Sequence, residues 1–192
     1  HALQRCRQVF VVFVYETELL RPLPRVDRRV EFIQQAVTAL DQQLWRLKNG
    51  HATGLHEEQS DNPFVSPPVL IQRHGQSVVE IPKLAHALGA ELVFANHDDE
   101  PFALQRDKVV SGHLADIGVG WNTFKDHVIF ERAELLTQAG KPFSVFTPYK
   151  NSWLKNINTE FLQSYPVEHY RSALWQQPHV PPLPSVADLG FV

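Results

Sequence analysis

Hydrophobic and polar positions alternate between solid apolar blocks and long amphipathic stretches along this chain. Gln8-Val9-Phe10-Val11-Val12-Phe13-Val14-Tyr15 is almost entirely β-branched or aromatic and shows no period-two alternation. Such a run predicts a strand buried on both faces, as in a parallel sheet. His1 to Arg7 reads as the tail of something helical leading into it. Val26, Val30, Ile33, Val37, Leu40, Leu44 and Leu47 step by four and three, which makes one apolar stripe and predicts a helix from Val26 to Lys48. Gly50 is its stop signal.

Asn49 to Pro68 is polar and irregular and predicts a long surface loop. Val69-Leu70-Ile71-Gln72-Arg73 then predicts a short strand. Ser77 to Glu80 has capping-box spacing ahead of a helix that stops at Gly89, with Pro82 awkward in its first turns. Ala90 to Asn96 predicts another buried strand, Glu100-Pro101 opens a helix running to about Ile117, and Asn122 to Phe130 contains one more strand. Strand and helix in regular succession are the α/β signature, with crossovers long enough for parallel pairing. From about Pro166 the chain turns Pro-rich and reads as a linker.

Composition changes this picture little. Of 192 residues 43% are hydrophobic and 20% charged, which fits a globular domain. Net charge is −3, so no global positive field draws the chain to nucleic acid. One cysteine, Cys6, excludes an internal disulfide and a Cys-rich zinc site. No apolar run reaches the ~20 residues of a membrane span, and a cytoplasmic location is the default. The chain opens on His1 and holds no Met, from which a lost start is expected.

Ligands of open α/β sheets gather beyond the carboxyl ends of the strands. Those ends are Tyr15-Glu16, Arg73-His74 and Asn96-His97-Asp98-Asp99-Glu100. The last is the densest polar cluster in the chain. It suits hydrogen bonding to a heteroaromatic ligand, and equally suits capping of the following helix. No phosphate-cradling glycine motif is present, and no G-x-S-x-G or H-E-x-x-H. His51, His56, Glu57, Glu58 and Asp61 have metal-binding side chains but lie in a loop without a fixed face, so a polar loop is the preferred reading. The chain does not read as a self-sufficient enzyme. Lys141 to Lys155 interleaves basic and aromatic residues, which packing at a loop-to-helix junction explains better than single-strand stacking.

That stretch, with Phe143-Ser144-Val145-Phe146-Thr147-Pro148-Tyr149-Lys150-Asn151-Ser152-Trp153-Leu154-Lys155, resembles the N-terminal domain of DNA photolyases and cryptochromes. Arg25 to Phe32, Val93 to Pro101, Arg106-Asp107 and Asn122 to Asp126 resemble further family segments in the right order. The resemblance implies a doubly wound, mainly parallel, five-stranded Rossmann-like sheet. Its first, central strand would precede His1. It also implies an α/β antenna domain over residues 1–165 and a linker over 166–192 toward an absent helical domain.

It implies a function as well. The domain would bind a light-harvesting chromophore that passes energy to FAD, and FAD in the absent domain would repair cyclobutane pyrimidine dimers in DNA. The alternative is a cryptochrome photoreceptor. The implied partners are the chromophore and, through the absent domain, ultraviolet-damaged DNA; no membrane is implied, and the parent would be monomeric. Folate-type members carry an Asn-Glu pair where Phe102 and Ala103 stand here, so methenyltetrahydrofolate is disfavoured. Deazaflavin-type members match Asp98 and Glu100, and their ring lies against positions matching Phe13, Tyr15, Arg29, Val30 and Ile33. A deazaflavin or flavin antenna is therefore expected, although Val30 and Ile33 also belong to the core stripe.

Overall fold

The computed structural model describes residues 1–50, 68–176 and 184–192. The His51 to Asp61 side chains weighed above as metal ligands lie outside these. The chain divides into two compact units, His1–Leu88 with Pro166–Val192, and Gly89–Tyr165.

The first unit begins with a single helical turn, α1 (Ala2–Arg5), and the apolar block then forms β1 (Val11–Glu16). A further turn, α2 (Thr17–Leu20), leads to the long helix α3 (Arg28–Asn49). Its ends are set by local chemistry. The Asp27 carboxylate accepts the backbone N–H of Arg29, and Gly50 adopts φ 77°, a left-handed conformation that costs glycine little. Strand β2 (Leu70–Gly75) and helix α4 (Ser77–Leu88) complete the succession.

β1 and β2 pair in parallel, with Phe13 opposite Gln72 and Tyr15 opposite His74. Asp41, midway along α3, accepts the N–H groups of Val69 and Leu70 at 2.8 and 2.7 Å and so fixes where β2 begins. The α3 stripe then lies on the sheet. Val30 and Val37 are buried with Tyr15, Leu20 and Leu70, and Phe13, Ile33 and Leu44 pack around them. Each such side chain removed from water stabilises the unit by roughly 1.5 to 3 kcal/mol. At the end of β1 the buried Glu16 carboxylate accepts the N–H of Ser77 at 2.9 Å, where the α4 dipole favours negative charge. Ser77 is therefore the first helical residue and not the cap expected from its spacing with Glu80. Pro82 lies within α4, which nevertheless continues to Leu88.

In the second unit, β3 (Leu92–Asn96) precedes α5 (Pro101–Asp116), β4 (Gly120–Phe124) and α6 (Phe146–Asn156). Pro101 sits in the first turn of α5, where its missing N–H is not needed. Ala103, Val110 and Leu114 bury one face of that helix. β3 and β4 pair in parallel, and the Phe94 and Phe124 rings stack at 5.9 Å. The last strand starts earlier than expected, at Gly120. A Cβ there would sit 2.5 Å from Leu92 Cδ2, so the close approach of β3 favours a residue without one. Beyond Phe124 the chain is drawn into a turn, because Lys125 Nζ donates to the Ile129 carbonyl at 2.8 Å and to Glu134.

The α/β class and the parallel pairing are as the sequence predicts. Among the described residues the four strands form two separate parallel pairs, β1–β2 and β3–β4, which accords with a sheet whose expected central strand is not among them. The blocks expected to be fully buried are correspondingly only partly so. Val11 to Val14 and Val93 to Ala95 are half-buried. Two strands leave open edges that a wider sheet would cover.

Residues from Pro166 onward return to the first unit. Val9 and Leu174 form a parallel bridge, Lys48 Nζ donates to the Leu174 carbonyl at 2.8 Å, and Leu189 and Phe191 are buried in the Tyr15–Val30 cluster.

Candidate functional site

The residues expected to face a flat chromophore are distributed over both units. In the first, Phe13, Tyr15, Val30 and Ile33 meet in one apolar cluster between β1 and α3. Side chains of a strand alternate between faces, so Phe13 and Tyr15 share the side covered by the helix. Their rings meet edge to face at 4.9 Å and 77°. Tyr15 is buried, and burial pushes its phenol above the ordinary value, so the hydroxyl stays protonated throughout the neutral range. Arg29 stands apart from the cluster. Its guanidinium turns back onto Asp27, with Nε to Oδ1 at 2.9 Å and an Nη to Oδ2 at 2.6 Å, and its side chain is 70% exposed. Those bonds hold the Asp27 carboxyl below the usual range and raise Arg29.

One residue in this unit was not anticipated. Gln72 faces Phe13 across the β1–β2 ladder, and neighbouring strands in register point their side chains to the same face. Its carboxamide Oε1 and Nε2 are both buried without a hydrogen-bond partner among the described residues. A buried amide left unpaired costs about 1 to 3 kcal/mol, and native structures carry few. The available signal was a polar side chain in the middle of an apolar strand. It lacked meaning until the register set it opposite Phe13. A flat ring with apolar faces and one edge carrying both N–H and C=O matches this donor set, so the residues present fit a flavin-type group.

In the second unit the strand-end cluster resolves into separate tasks. Asp98 Oδ1 accepts the Glu100 N–H at 3.0 Å. Glu100 is the residue preceding α5 and makes no side-chain cap bond. Asp99 Oδ1 pairs with Arg132 at 3.0 Å. His97 is held at both ring nitrogens: Nδ1 lies 2.8 and 2.9 Å from the Glu131 carboxylate oxygens, and Nε2 lies 2.9 Å from Thr123 Oγ1. Glu131 is itself oriented by a reciprocal capping box with Glu134. Lys125 clamps Glu134 and holds its carboxyl below the usual range. Neither Thr123 nor Glu131 was visible as a partner of His97. They lie 26 and 34 positions away, and no local pattern links them.

The 141–155 stretch packs as a junction. Phe143 meets Tyr149 at 5.9 Å, and Trp153 meets Phe130 at 6.0 Å, while Phe146 at the start of α6 stays exposed. Among the described residues no group of three or more metal-binding side chains converges, and no helix is long and apolar enough to cross a membrane.

A parallel α/β chain of this order defines a broad fold class whose ligand sites lie beyond the carboxyl ends of the strands. The comparisons make it particular. Residues 68–168 match the DNA photolyase family, and the chain belongs to that family. It is 35% identical over 123 residues to the deoxyribodipyrimidine photo-lyase of Halobacterium salinarum, covering 64% of this chain and 25% of that one. It is 30% identical over 128 residues to the Vibrio cholerae photo-lyase, covering 65% and 26%. Cryptochrome-2 of Arabidopsis thaliana is 30% identical over 114 residues, covering 59% and 18%. Among solved structures, a bacterial class III photolyase from Agrobacterium tumefaciens matches with a TM-score of 0.64 at 19% identity, over 94% of this chain and 32% of that one, which shows the shared fold. The chain thus spans about a quarter of the photo-lyases it matches.

Proposed function

We propose that this chain is the antenna-binding α/β domain of a light-driven DNA repair protein, and that its chromophore is a deazaflavin or flavin rather than a folate. The observation that carries the reading is the meeting of Phe13, Tyr15, Val30 and Ile33 in one cluster, with the unpaired Gln72 opposite Phe13 in the β1–β2 register, in a chain of the photolyase family. When bound, such a chromophore absorbs light and passes its excitation energy on. The chain's own residues do the holding. Phe13, Tyr15, Val30 and Ile33 form the apolar cluster against which the ring would lie. Gln72 supplies one donor and one acceptor to its polar edge. Burial moves the Tyr15 phenol still further above the neutral range. Asp98 and Glu100 are the polar contacts that the family resemblance assigns. Repair of cyclobutane pyrimidine dimers with FAD, and contact with damaged DNA, are proposed for the larger protein of which such a domain is one part.

Cryptochromes share these segments, and their presence among the relatives supports a photoreceptor as the second reading. Two measurements on the parent protein separate the possibilities. Its absorption spectrum after reconstitution is expected to show a flavin-type visible band that weakens in Asp98→Asn with Glu100→Gln. A folate-like near-ultraviolet band unaffected by those changes would contradict the antenna assignment. Light-dependent reversal of pyrimidine dimers is expected, and its absence would favour the photoreceptor.

A further inference from the structure

The segment 184–192 lies in the same cluster that the antenna reading gives to the chromophore. It closes into a turn of its own. The Ser185 N–H and hydroxyl both donate to Asp188 Oδ2, at 2.8 and 2.7 Å, and the Asp188 N–H donates to Ser185 Oγ at 3.2 Å. The N–H groups of Leu189 and Phe191 return to the Val186 carbonyl at 3.2 and 3.1 Å, and that of Gly190 to Ala187 at 2.9 Å. Gly190 takes φ 88°, where a residue without a Cβ lets the chain reverse. The turn therefore satisfies most of its polar groups internally.

Its apolar side chains look outward from the turn into the unit. Leu189 and Phe191 are buried in the cluster that holds Tyr15 and Val30, and Val186 packs against it. Among the described residues one hydrogen bond joins the segment to the rest of the unit: the Val192 N–H donates to the Arg25 carbonyl at 2.9 Å. Arg25 lies just before α3, in the connection from β1. That end of α3 stands on the side of the β1 carboxyl end, where ligands of open α/β sheets bind.

A ring lying on Tyr15 and Val30 needs their surface. The chain's own side chains already cover it, for Val30 is 0% exposed and Tyr15 3%. One covering piece must leave before a ring can reach them. Helix α3 is tied to β2 through Asp41, and β1 is tied to β2 along a ladder of six residue pairs. The segment is held by apolar contact and one hydrogen bond, and its internal bonds are kept when it departs. We propose that the segment 184–192 is a built-in plug that competes with the chromophore, and that binding of the ring displaces Leu189 and Phe191 from the cluster. The proposal rests on the antenna reading of that cluster. The plug lowers the apparent affinity for the ring by the fraction of molecules in which it is out of place.

The test is titration of the whole 192-residue chain and of its Phe191→Ala variant with riboflavin, read by flavin fluorescence. The variant is expected to bind about tenfold more tightly or better, because the plug loses the burial of its ring. A residue with a purely structural role would leave binding unchanged or weaken it when shortened. Circular dichroism checks folding, and Leu189→Ala takes the place of Phe191→Ala if that variant does not fold. Hydrogen exchange on the unsubstituted chain gives a second reading. The Val192 N–H is expected to exchange faster at saturating riboflavin, since its bond to Arg25 is broken, while Val30 N–H exchange does not speed up. Unchanged or weaker binding in the folded variant would overturn the plug and leave the antenna reading standing, as would Val192 exchange that slows or stays the same. Riboflavin binding to neither chain would overturn the antenna reading and the plug with it.

Discussion

At the scale of single residues, Gln72 separates a binding role from a structural one. An amide kept only for stability would be hydrogen-bonded, whereas both of its polar atoms are buried without a partner among the described residues. Gln72→Leu should therefore raise the unfolding free energy of the ligand-free chain by about 1 to 3 kcal/mol while weakening chromophore binding. Urea unfolding and a binding titration on the same variant check the two halves, and a destabilised variant would count against the assignment. Asp27 makes a prediction in pH. Its carboxyl is held below the ordinary range by the Arg29 side-chain and backbone bonds, so the folded chain binds fewer protons than the unfolded one in that interval. The resulting stability is fully present above about pH 4 and is lost as pH falls through the depressed folded value. Asp27→Asn should flatten this part of the acid limb of a stability–pH curve, and an unchanged limb would show that the pair contributes nothing.

At the scale of elements, helix ends and faces were legible because local chemistry sets them. The four-and-three stripe from Val26 predicts α3, and Asp27 and Gly50 close it within two residues of the expected ends. Gly50 carries a positive φ, and a Cβ there would lie 2.8 Å from Arg171 Nη1. Gly50→Ala should cost about 1 to 2 kcal/mol in thermal or denaturant unfolding, from backbone strain with some displacement of Arg171. Strand β4 was displaced from its expected position because its start depends on the closeness of Leu92, a neighbour in space. The same reason hid the Glu131–His97–Thr123 network. His97 was visible as part of a polar cluster, but its partners come from another strand and a distant turn. Gln72 was hidden differently: its position in sequence was plain, and only the pairing of β1 with β2 gave it a place beside Phe13.

At the scale of the whole molecule, the α/β class follows from the order of apolar blocks and stripes, and the family from a few dense motifs. The grouping into two pairs accords with the resemblance, which expects the central strand outside these residues. Four strands in two parallel pairs leave more open edge than one sheet would, and two-stranded sheets are marginal without helices on their faces. The Pro-rich composition after Pro166 announces extended backbone. It does not reveal where the few apolar side chains of that segment go, and Leu174, Leu189 and Phe191 go into the first unit.

The most direct test of the central claim is equilibrium dialysis of this chain against a flavin, a deazaflavin and methenyltetrahydrofolate, read by absorption, with Phe13→Ala and Gln72→Leu alongside. The account predicts one flavin-type ring bound per chain, folate bound less tightly, and a loss of about tenfold or more in each variant. Preferential binding of the folate, or flavin-type binding that neither substitution alters, would contradict it.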